Sequence, residues 1–227
     1  MSLLYPSRCI LCGKIIEGKK LICAECVDKG LLITGRICGF CGVGVDFCNC
    51  GHRKHHYARR IACVYYDGPV RRKFLNFKFY RRTTLGEYYG RLMAQNIRSK
   101  YQKVSFDMII PVPMHWFDGW KRGYNCAELL ARPIAESTGI KLYTDILYKR
   151  VRSKAQKGIK DPAKRAANVL DTFGIKNPNL LHGKTVLLVD DVCTTGATLD
   201  ECAKILRIYG ASKVYAVTFA SVVKSKV

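Results

Sequence analysis

The residues best suited to chemistry lie near the C-terminal end of the 227-residue chain, in the run KTVLLVDDVCTTGAT at positions 184–198. Its apolar part predicts a buried strand over residues 185–189, which leads into Asp190 and Asp191. A short loop of threonine and glycine follows, and then a predicted helix over residues 196–209. At the carboxyl end of a parallel strand, such a loop can present backbone N–H groups and hydroxyls to a phosphate.

The pattern therefore predicts a site for a ribose 5-phosphate group. The carboxylates of Asp190 and Asp191 would accept hydrogen bonds from the ribose 2′- and 3′-hydroxyls, and Gly196 lacks the Cβ that would block close approach of a phosphate. A strand end followed by an ordinary capped helix is the alternative. That structure would need neither two adjacent acids nor so many small hydroxyl residues.

A second set of residues with chemistry in its spacing comprises eight of the twelve cysteines. They form three C-x-x-C pairs and a final C-x-C: Cys9, Cys12, Cys23, Cys26, Cys38, Cys41, Cys48 and Cys50. Paired thiolates at this spacing are typical of tetrahedral zinc sites, with disulfides or redox pairs as the alternative. Sequential grouping predicts one structural Zn²⁺ for each four cysteines. In the second group His52, His55 or His56 could replace a thiolate, so one or two ions are expected.

The net charge of +22 is unevenly distributed along the chain. Residues 52–104 hold 14 basic and two acidic residues, and residues 121–165 hold 12 basic and four acidic residues. The middle of the chain is therefore expected to attract a polyanion such as nucleic acid, or a phosphate-rich small substrate. A hydrophobic fraction of 48% supplies enough apolar material for a sizeable core, which excludes a disordered polar chain.

The elements that must position these residues alternate between strands and helices. Strands are predicted near 61–66, 108–112, 185–189 and 214–220, and helices near 71–79, 85–98, 124–137 and 196–209. This alternation predicts an α/β domain with a parallel sheet flanked by helices. The change in composition predicts a cysteine-rich module over residues 1–56 and the α/β domain over residues 57–227.

No apolar run approaches the roughly 18 residues of a membrane span. The N-terminus also lacks the charged region and apolar core of a signal peptide. We therefore expect a cytoplasmic protein with no membrane span.

The acid-and-threonine run resembles the signature of the phosphoribosyltransferase family, and other segments are similar to its ComF branch. The run IPVP at 110–113, followed by RGYN at 122–125 and AELLA at 127–131, resembles the pyrophosphate-loop region of that branch. The cysteine-rich head resembles its double zinc ribbon. Cys126 departs from the branch, whose members tend to carry a polar residue there, and the C-x-C at 48–50 shortens the last zinc pair.

A spaced pattern before the last strands completes the resemblance. Gln156, Arg165, Asn168 and Phe173 match the Q…R…N…F pattern of the branch. By this resemblance Gln156, Arg165 and Asn168 would lie on a flexible loop that closes over the site and excludes water.

The resemblance implies a type I phosphoribosyltransferase fold that binds phosphoribosyl pyrophosphate together with Mg²⁺. Asp190 and Asp191 would bind the ribose hydroxyls, and Arg122 and Gly123 would face the pyrophosphate, although a solvated surface arginine is the alternative for Arg122. The strand end and loop that would surround the 5-phosphate comprise Val192, Cys193, Thr194, Thr195, Gly196, Ala197 and Thr198.

The ComF branch is also associated with bacterial natural transformation and with incoming single-stranded DNA. Residues 52–103 interleave cations with aromatic residues, a composition suited to phosphate contacts and base stacking. The candidate DNA-binding residues are Arg71, Arg72, Lys73, Lys78, Arg81 and Arg82. Of these, Lys78, Arg81 and Arg82 could instead reach the pyrophosphate or remain plain exposed charges.

Two functional classes remain open at this point. One is a competence protein that binds single-stranded DNA and carries a phosphoribosyl pyrophosphate site, with DNA translocation or recombination proteins as candidate partners. The other is an active phosphoribosyltransferase of nucleotide or related metabolism with no DNA role. The sequence indicates neither an acceptor-specific pocket nor a nucleophile with its base, so turnover and the acceptor stay open.

Overall fold

The computed structural model describes residues 7–18, 20–48, 50, 55–114, 122–150 and 172–223. The three residues expected on a flexible loop, Gln156, Arg165 and Asn168, lie outside the described residues. So do His52 and residues 115–121, which include most of the expected pyrophosphate loop.

The described elements agree with the predicted alternation of strands and helices. In chain order they are α1 (Ala24–Asp28), β1 (Arg59–Tyr65), α2 (Gly68–Phe79), α3 (Leu85–Lys100), β2 (Met108–Pro111), α4 (Cys126–Thr138), β3 (Leu147–Lys149), β4 (Phe173–Ile175), β5 (Thr185–Cys193), α5 (Ala197–Ile208) and β6 (Lys213–Ser221). Short 3-10 turns occupy Val45–Phe47 and Pro178–Leu181.

A four-stranded sheet in the order β1-β6-β5-β2 forms the centre of the molecule, and every neighbouring pair is parallel. The predicted parallel α/β architecture is therefore confirmed. Strand β5 runs four residues beyond its predicted end at Val189, because β6 pairs with it as far as Cys193 opposite Ser221. Asp190 and Asp191 consequently belong to the carboxyl end of the strand rather than to the loop.

A two-stranded antiparallel ribbon of β3 and β4 stands apart from this sheet. Each strand is only three residues long, and the pairing joins Lys149 to Phe173 across 23 intervening positions. Local periodicity cannot detect so short a pair, since a hydrophobic alternation needs at least four residues to be recognised.

Both faces of the sheet are buried, as expected for parallel strands. Helices α2, α3 and α4 cover one face, where Phe74, Tyr89 and Leu130 pack against Leu187 and Phe219. Helix α5 covers the other face and buries a second group of apolar residues, Val186, Leu188, Leu199, Cys202, Leu206 and Ala216. The sheet is thus held between two helical layers that leave its carboxyl end for the loop at residues 194–196.

The cysteine-rich segment packs directly onto the α/β domain. Ile10 and Leu11 are buried in the same cluster as helix α3, and the Tyr89 hydroxyl donates to the Ile10 carbonyl at 3.1 Å. At the edge of β1 the Ile33 N–H donates to the Cys63 carbonyl at 2.9 Å, and the Tyr65 N–H donates to the Leu31 carbonyl at 3.0 Å. The division at residue 56 stays a prediction, but residues on its two sides share a core.

No helix in the described part of the chain is both long and apolar enough to cross a membrane.

The crossing of α3 and α4 depends on Gly90. A Cβ at this position would lie 2.2 Å from the Pro133 Cγ atom and 2.7 Å from the Leu130 carbonyl oxygen. A Gly→Ala change inside a helix ordinarily stabilises by about 1 kcal/mol. Here Gly90→Ala is expected to lower the free energy of unfolding by about 2 kcal/mol, because the helices must separate.

Urea unfolding followed by circular dichroism measures this change. Gln95→Ala, on the exposed side of α3, is the matched control and should stay within about 0.5 kcal/mol of the unaltered protein. An unchanged or higher stability of Gly90→Ala would contradict the close helix crossing.

Candidate functional site

The loop between β5 and α5 consists of Thr194, Thr195 and Gly196. Both threonines are exposed, and Gly196 adopts a left-handed backbone with φ of +81° at the N-cap of the helix. The Thr195 hydroxyl accepts a hydrogen bond from the Ala197 N–H at 3.3 Å. Because the first N–H groups of a helix have no intrahelical partners, this loop and the exposed Ala197 and Thr198 present donors suited to an anion.

Buried side chains form the floor beneath this loop. A Cβ on Gly196 would lie 3.0 Å from the Tyr57 hydroxyl oxygen and 3.7 Å from the Cys193 Sγ atom. Both residues are almost fully buried, and burial raises the pKa of each side chain above its ordinary value. Cys193 and the half-buried Val192 therefore support the loop from below, while Thr194, Thr195, Ala197 and Thr198 offer the accessible groups.

The two acids at the end of β5 differ in their surroundings. The Asp191 Oδ2 atom lies 2.8 Å from the Lys78 Nζ atom, and its Oδ1 atom accepts from the Val192 N–H at 2.5 Å. Asp190 Oδ1 accepts from the Asp191 N–H at 2.8 Å. Burial, and next the charge of Asp191, raises the pKa of Asp190 to about 7. Asp191 thus forms an ion pair with Lys78, while the pKa of the Asp190 carboxyl lies well above its usual range.

Lys78 belongs to this strand end although it is 113 positions away along the chain. Burial lowers its pKa, but the charge and hydrogen bond of Asp191 outweigh burial and raise it above the ordinary value. From the sequence, Lys78 is a candidate for binding DNA or the pyrophosphate, or a plain exposed charge. In the structure its ion pair with Asp191 places the ammonium group beside the predicted ribose site.

Arg122 lies on the same side, where α2 ends and α4 begins. Its guanidinium carbon is 5.2 Å from the centre of the Phe79 ring, and its Nη1 atom is 3.8 Å from the Cys126 Sγ atom. The Tyr124 hydroxyl donates to the Phe77 carbonyl at 2.6 Å and joins the two helix ends. Gly123 between them is exposed. The hydrogen bond between Tyr124 and Phe77 thus brings the cations Lys78 and Arg122 near each other.

Cys126 is buried beside this cluster. Burial, and next the charge of Asp191, raises the pKa of its thiol to about 11, so the thiol is protonated at neutral pH. It therefore packs under Arg122 as a neutral group.

The candidate DNA-binding cations divide between surface and interior. Arg71, Arg72, Arg81 and Arg82 are exposed. Lys73 is half-buried, and its Nζ atom would lie 3.3 Å from a Cβ on Gly13, over the first pair of cysteines. The aromatic residues divide in the same way: Phe79, Tyr80 and Tyr88 are exposed, whereas Tyr57, Phe74, Phe77, Tyr89 and Tyr101 are buried.

Each group of four cysteines brings its sulfur atoms together, within 4.8 Å of one another. Tetrahedral zinc with Zn–S bonds of about 2.3 Å requires sulfur–sulfur distances of about 3.8 Å. In the first group, Cys9 to Cys26 and Cys12 to Cys23 each measure 3.7 Å. In the second group, Cys38 to Cys50, Cys41 to Cys48 and Cys48 to Cys50 measure 3.8, 3.5 and 3.3 Å. Both groups fit a structural zinc ion.

In each group the backbone favours the thiolate form of one cysteine. Burial opposes ionisation of Cys9 and Cys38, but backbone N–H groups, first those of Cys23 and Cys41 respectively, lower the pKa to about 7 and about 6. Of the three histidines that could have replaced a thiolate, the structure describes His55 and His56, and both lie beside Asp200. The Nδ1 atoms of His55 and His56 lie 3.6 and 3.2 Å from the Asp200 carboxylate.

Comparison with known proteins matches both parts of the chain. The model of the phosphoribosyl transferase domain matches residues 89–226, and that of the double zinc ribbon domain matches residues 1–62. Competence protein F of Haemophilus influenzae is 29% identical over 220 residues, which cover 92% of this chain and 95% of that protein.

Two further relatives match over most of their length. DNA utilization protein YhgH of Salmonella typhi is 26% identical over 94% of this chain and 90% of its own. Competence protein ComFC of Bacillus subtilis is 25% identical over 85% of this chain and 80% of its own. These matches confirm the resemblance predicted from the sequence.

The two cysteine groups predict about two zinc ions per chain. Cys12→Ser and Cys48→Ser should each remove about one ion, because each opens a different tetrahedron. Elemental analysis of the purified proteins, combined with chromogenic detection of zinc released by a mercurial, measures the stoichiometry. Cys202→Ala, in the core between α5 and the sheet, is the control and should keep both ions. A stoichiometry of one in the unaltered protein would contradict the second site.

Proposed function

Because this chain belongs to the phosphoribosyltransferase family, we propose that it is a competence protein that handles single-stranded DNA and binds phosphoribosyl pyrophosphate with Mg²⁺. The observation that carries the proposal is the arrangement at the end of β5. Two acids, an anion-binding loop at the N-terminus of α5 and the cations Lys78 and Arg122 all converge there. The competence role rests on the names of the relatives.

Phosphoribosyl pyrophosphate is the donor of ribose 5-phosphate in the proposed function. Each part of this donor has a matching group at the end of β5. The carboxylates of Asp190 and Asp191 accept the ribose hydroxyls, and the N–H groups and hydroxyls at residues 194–198 hold the 5-phosphate. Arg122 and Lys78 face the pyrophosphate, where a guanidinium can bind two phosphate oxygens at once. Mg²⁺ bound together with the donor would neutralise part of the charge of the pyrophosphate beside Arg122 and Gly123.

Lys78 has two uses in this arrangement. Without a bound donor its ammonium group pairs with the Asp191 carboxylate and holds that side chain in place. When a pyrophosphate is present, the same ammonium group lies near the entering negative charge. The protein's part in any transfer is then to orient the donor and stabilise the leaving group.

An open cavity favours the alternative, an active phosphoribosyltransferase of nucleotide or related metabolism. This cavity of about 500 Å³ adjoins the proposed pyrophosphate position at Gly123. Its lining also includes Asn125, Glu128 and Tyr148. Its volume suits a small acceptor. Release of pyrophosphate from the donor, assayed with and without single-stranded DNA and candidate bases, distinguishes the two functions. Turnover with a free base and no effect of DNA would favour the alternative.

Binding of the donor should depend on the paired acids. The Asp190→Asn/Asp191→Asn double variant is expected to bind phosphoribosyl pyrophosphate with Mg²⁺ at least tenfold more weakly, because hydrogen bonds to charged groups contribute about 1.5–3 kcal/mol each. Titration calorimetry measures the affinities.

Asp107→Asn is the matched control, since Asp107 accepts from the Thr185 N–H at the opposite end of β5. It should bind the donor as the unaltered protein does. Equal affinities of the double variant and the unaltered protein would rule out this site.

The proposed DNA surface adjoins the donor site. Phe79, Tyr80, Arg81 and Arg82 are exposed at the end of α2, immediately after Lys78. Arg71 and Arg72 extend the positive surface along the same helix. Cations on the phosphates and rings under the bases would bind a strand with little sequence preference. DNA translocation or recombination proteins are the proposed partners that deliver or receive this strand.

Two variants separate the contributions to DNA binding. Arg81→Ala/Arg82→Ala should reduce the slope of log affinity against log salt by about 0.7 for each phosphate that the variant no longer neutralises. Tyr80→Ala should weaken binding by about 1–3 kcal/mol and leave that slope unchanged, because stacking is not ionic. Fluorescence anisotropy with labelled oligonucleotides across a salt series measures both effects.

Arg207→Ala is the control for the change in charge, since Arg207 is exposed on α5, on the other face of the sheet. It should bind DNA as the unaltered protein does. A flat salt dependence, or equal behaviour of the Arg207 and Arg81/Arg82 variants, would argue against this surface.

A further inference from the structure

Arg60 is a buried cation whose guanidinium has few partners. Only 4% of the residue is exposed. It lies in β1, the outer strand of the sheet, where the turn of the second cysteine group packs against it. Its Nη1 atom donates to the Ser221 hydroxyl at 3.2 Å, and its Nε atom has no hydrogen-bond partner. No carboxylate of the described residues pairs with it. A buried guanidinium is costly unless a negative charge compensates it.

The Arg60 guanidinium lies at the strand end from which the loop at residues 194–196 begins, because it contacts Ser221 and Ser221 pairs with Cys193. Burial raises the pKa of Tyr57, Cys193 and Asp190, and the charge of Arg60 opposes that rise in all three. The Tyr57 hydroxyl and the Cys193 Sγ atom are also the groups nearest to Gly196. Ser221, which holds the guanidinium, pairs with Cys193 at the end of β5. Arg60 is therefore close to the loop that the donor phosphate would occupy.

The second cysteine group holds the backbone of Arg60. The Arg60 N–H donates to the Phe40 carbonyl at 3.3 Å, inside the turn between Cys38 and Cys41. A Cβ on Gly42 would lie only 2.1 Å from the Arg60 carbonyl oxygen, so the turn and the strand are in close contact. The position of the arginine thus depends on the folded cysteine turn.

We propose that Arg60 is the buried countercharge of the 5-phosphate and that the second cysteine group positions it, which makes the zinc ribbon part of the phosphate site. This inference rests on the donor site proposed above. A phosphate dianion on the loop would add a negative charge close to Arg60, whose charge otherwise acts on the Asp190 carboxyl without a direct ion pair. In an interior of low dielectric constant, that attraction acts without direct contact.

The test compares the two ends of the donor. Arg60→Met should bind ribose 5-phosphate and phosphoribosyl pyrophosphate at least about tenfold more weakly, as expected for removal of a buried charge, while binding Mg²⁺-pyrophosphate unchanged. Arg60→Lys retains the charge and should recover most of the affinity. Arg59→Met is the matched control, because the Arg59 guanidinium instead contacts the Lys100 carbonyl and the Tyr101 ring. Titration calorimetry measures all four proteins.

Two variants test the support of Arg60 if Arg60→Met does not fold. Ser221→Ala removes the hydroxyl that holds the guanidinium, and Cys48→Ser removes the second zinc ion, which elemental analysis verifies. Both should weaken binding of ribose 5-phosphate at least threefold and leave binding of Mg²⁺-pyrophosphate unchanged.

The outcomes separate this inference from the donor site itself. If the unaltered protein fails to bind phosphoribosyl pyrophosphate, both proposals are overturned. If it binds the donor and the Arg60→Met or Ser221→Ala variant binds ribose 5-phosphate equally well, only the role of Arg60 is overturned. Equal weakening of both ligands would indicate a general structural defect and would also overturn it. A Cys48→Ser protein that lacks zinc and keeps full affinity would overturn the positioning by the cysteine group.

Discussion

The pairing of β5 with β6 is the constraint on which the candidate site depends. The two strands pair in parallel from Thr185 opposite Lys213 to Cys193 opposite Ser221. This continuous ladder brings the two acids to the carboxyl end of the sheet and sends the chain into α5 at Gly196. Parallel strands all end at the same edge, so every loop that follows one can contribute to a common site. Lys78, Arg122 and Arg60 gain their importance from their position relative to this strand end.

Features encoded locally could be predicted from the sequence. The strand, the acids and the loop at residues 185–198 are contiguous in the sequence. The spacing of the cysteine pairs likewise predicts tetrahedral metal sites. The resemblance of the chain to a known family added the fold as a whole. In these segments a few neighbouring residues determine the structure, and the prediction needed no knowledge of distant contacts.

Features that depend on distant contacts could not be predicted. The end of β5 was placed four residues too early, because its length depends on β6. The ion pair between Lys78 and Asp191 joins positions 113 residues apart. Tyr124 had a local signal, since it lies within the run RGYN, yet its contact with Phe77 required the structure. Arg60 also had a local sequence signal, because it directly precedes the apolar part of β1. An interpretation based on net charge alone overlooks this signal.

The large positive charge of the chain is consequently not one surface. Lys78 is paired with Asp191, Arg60 is buried, and Lys73 lies over the first cysteine group. On and after α2 the exposed cations are Arg71, Arg72, Arg81 and Arg82, and further exposed cations such as Lys29, Arg132 and Lys213 are spread over the rest of the described chain. A count of basic residues therefore overstates the charge that is available to a polyanion.

The two margins of the sheet carry a further consequence. Residues 31–33 bond to the free side of β1, and Leu142 bridges to Ile109 on the free side of β2. Both outer strands therefore have part of their backbone already engaged, which is how natural sheets avoid joining edge to edge. Strand addition, a common way of capturing an extended peptide, finds little unpaired backbone here. A protein that binds at these two margins would have to recognise side chains rather than pair with the backbone.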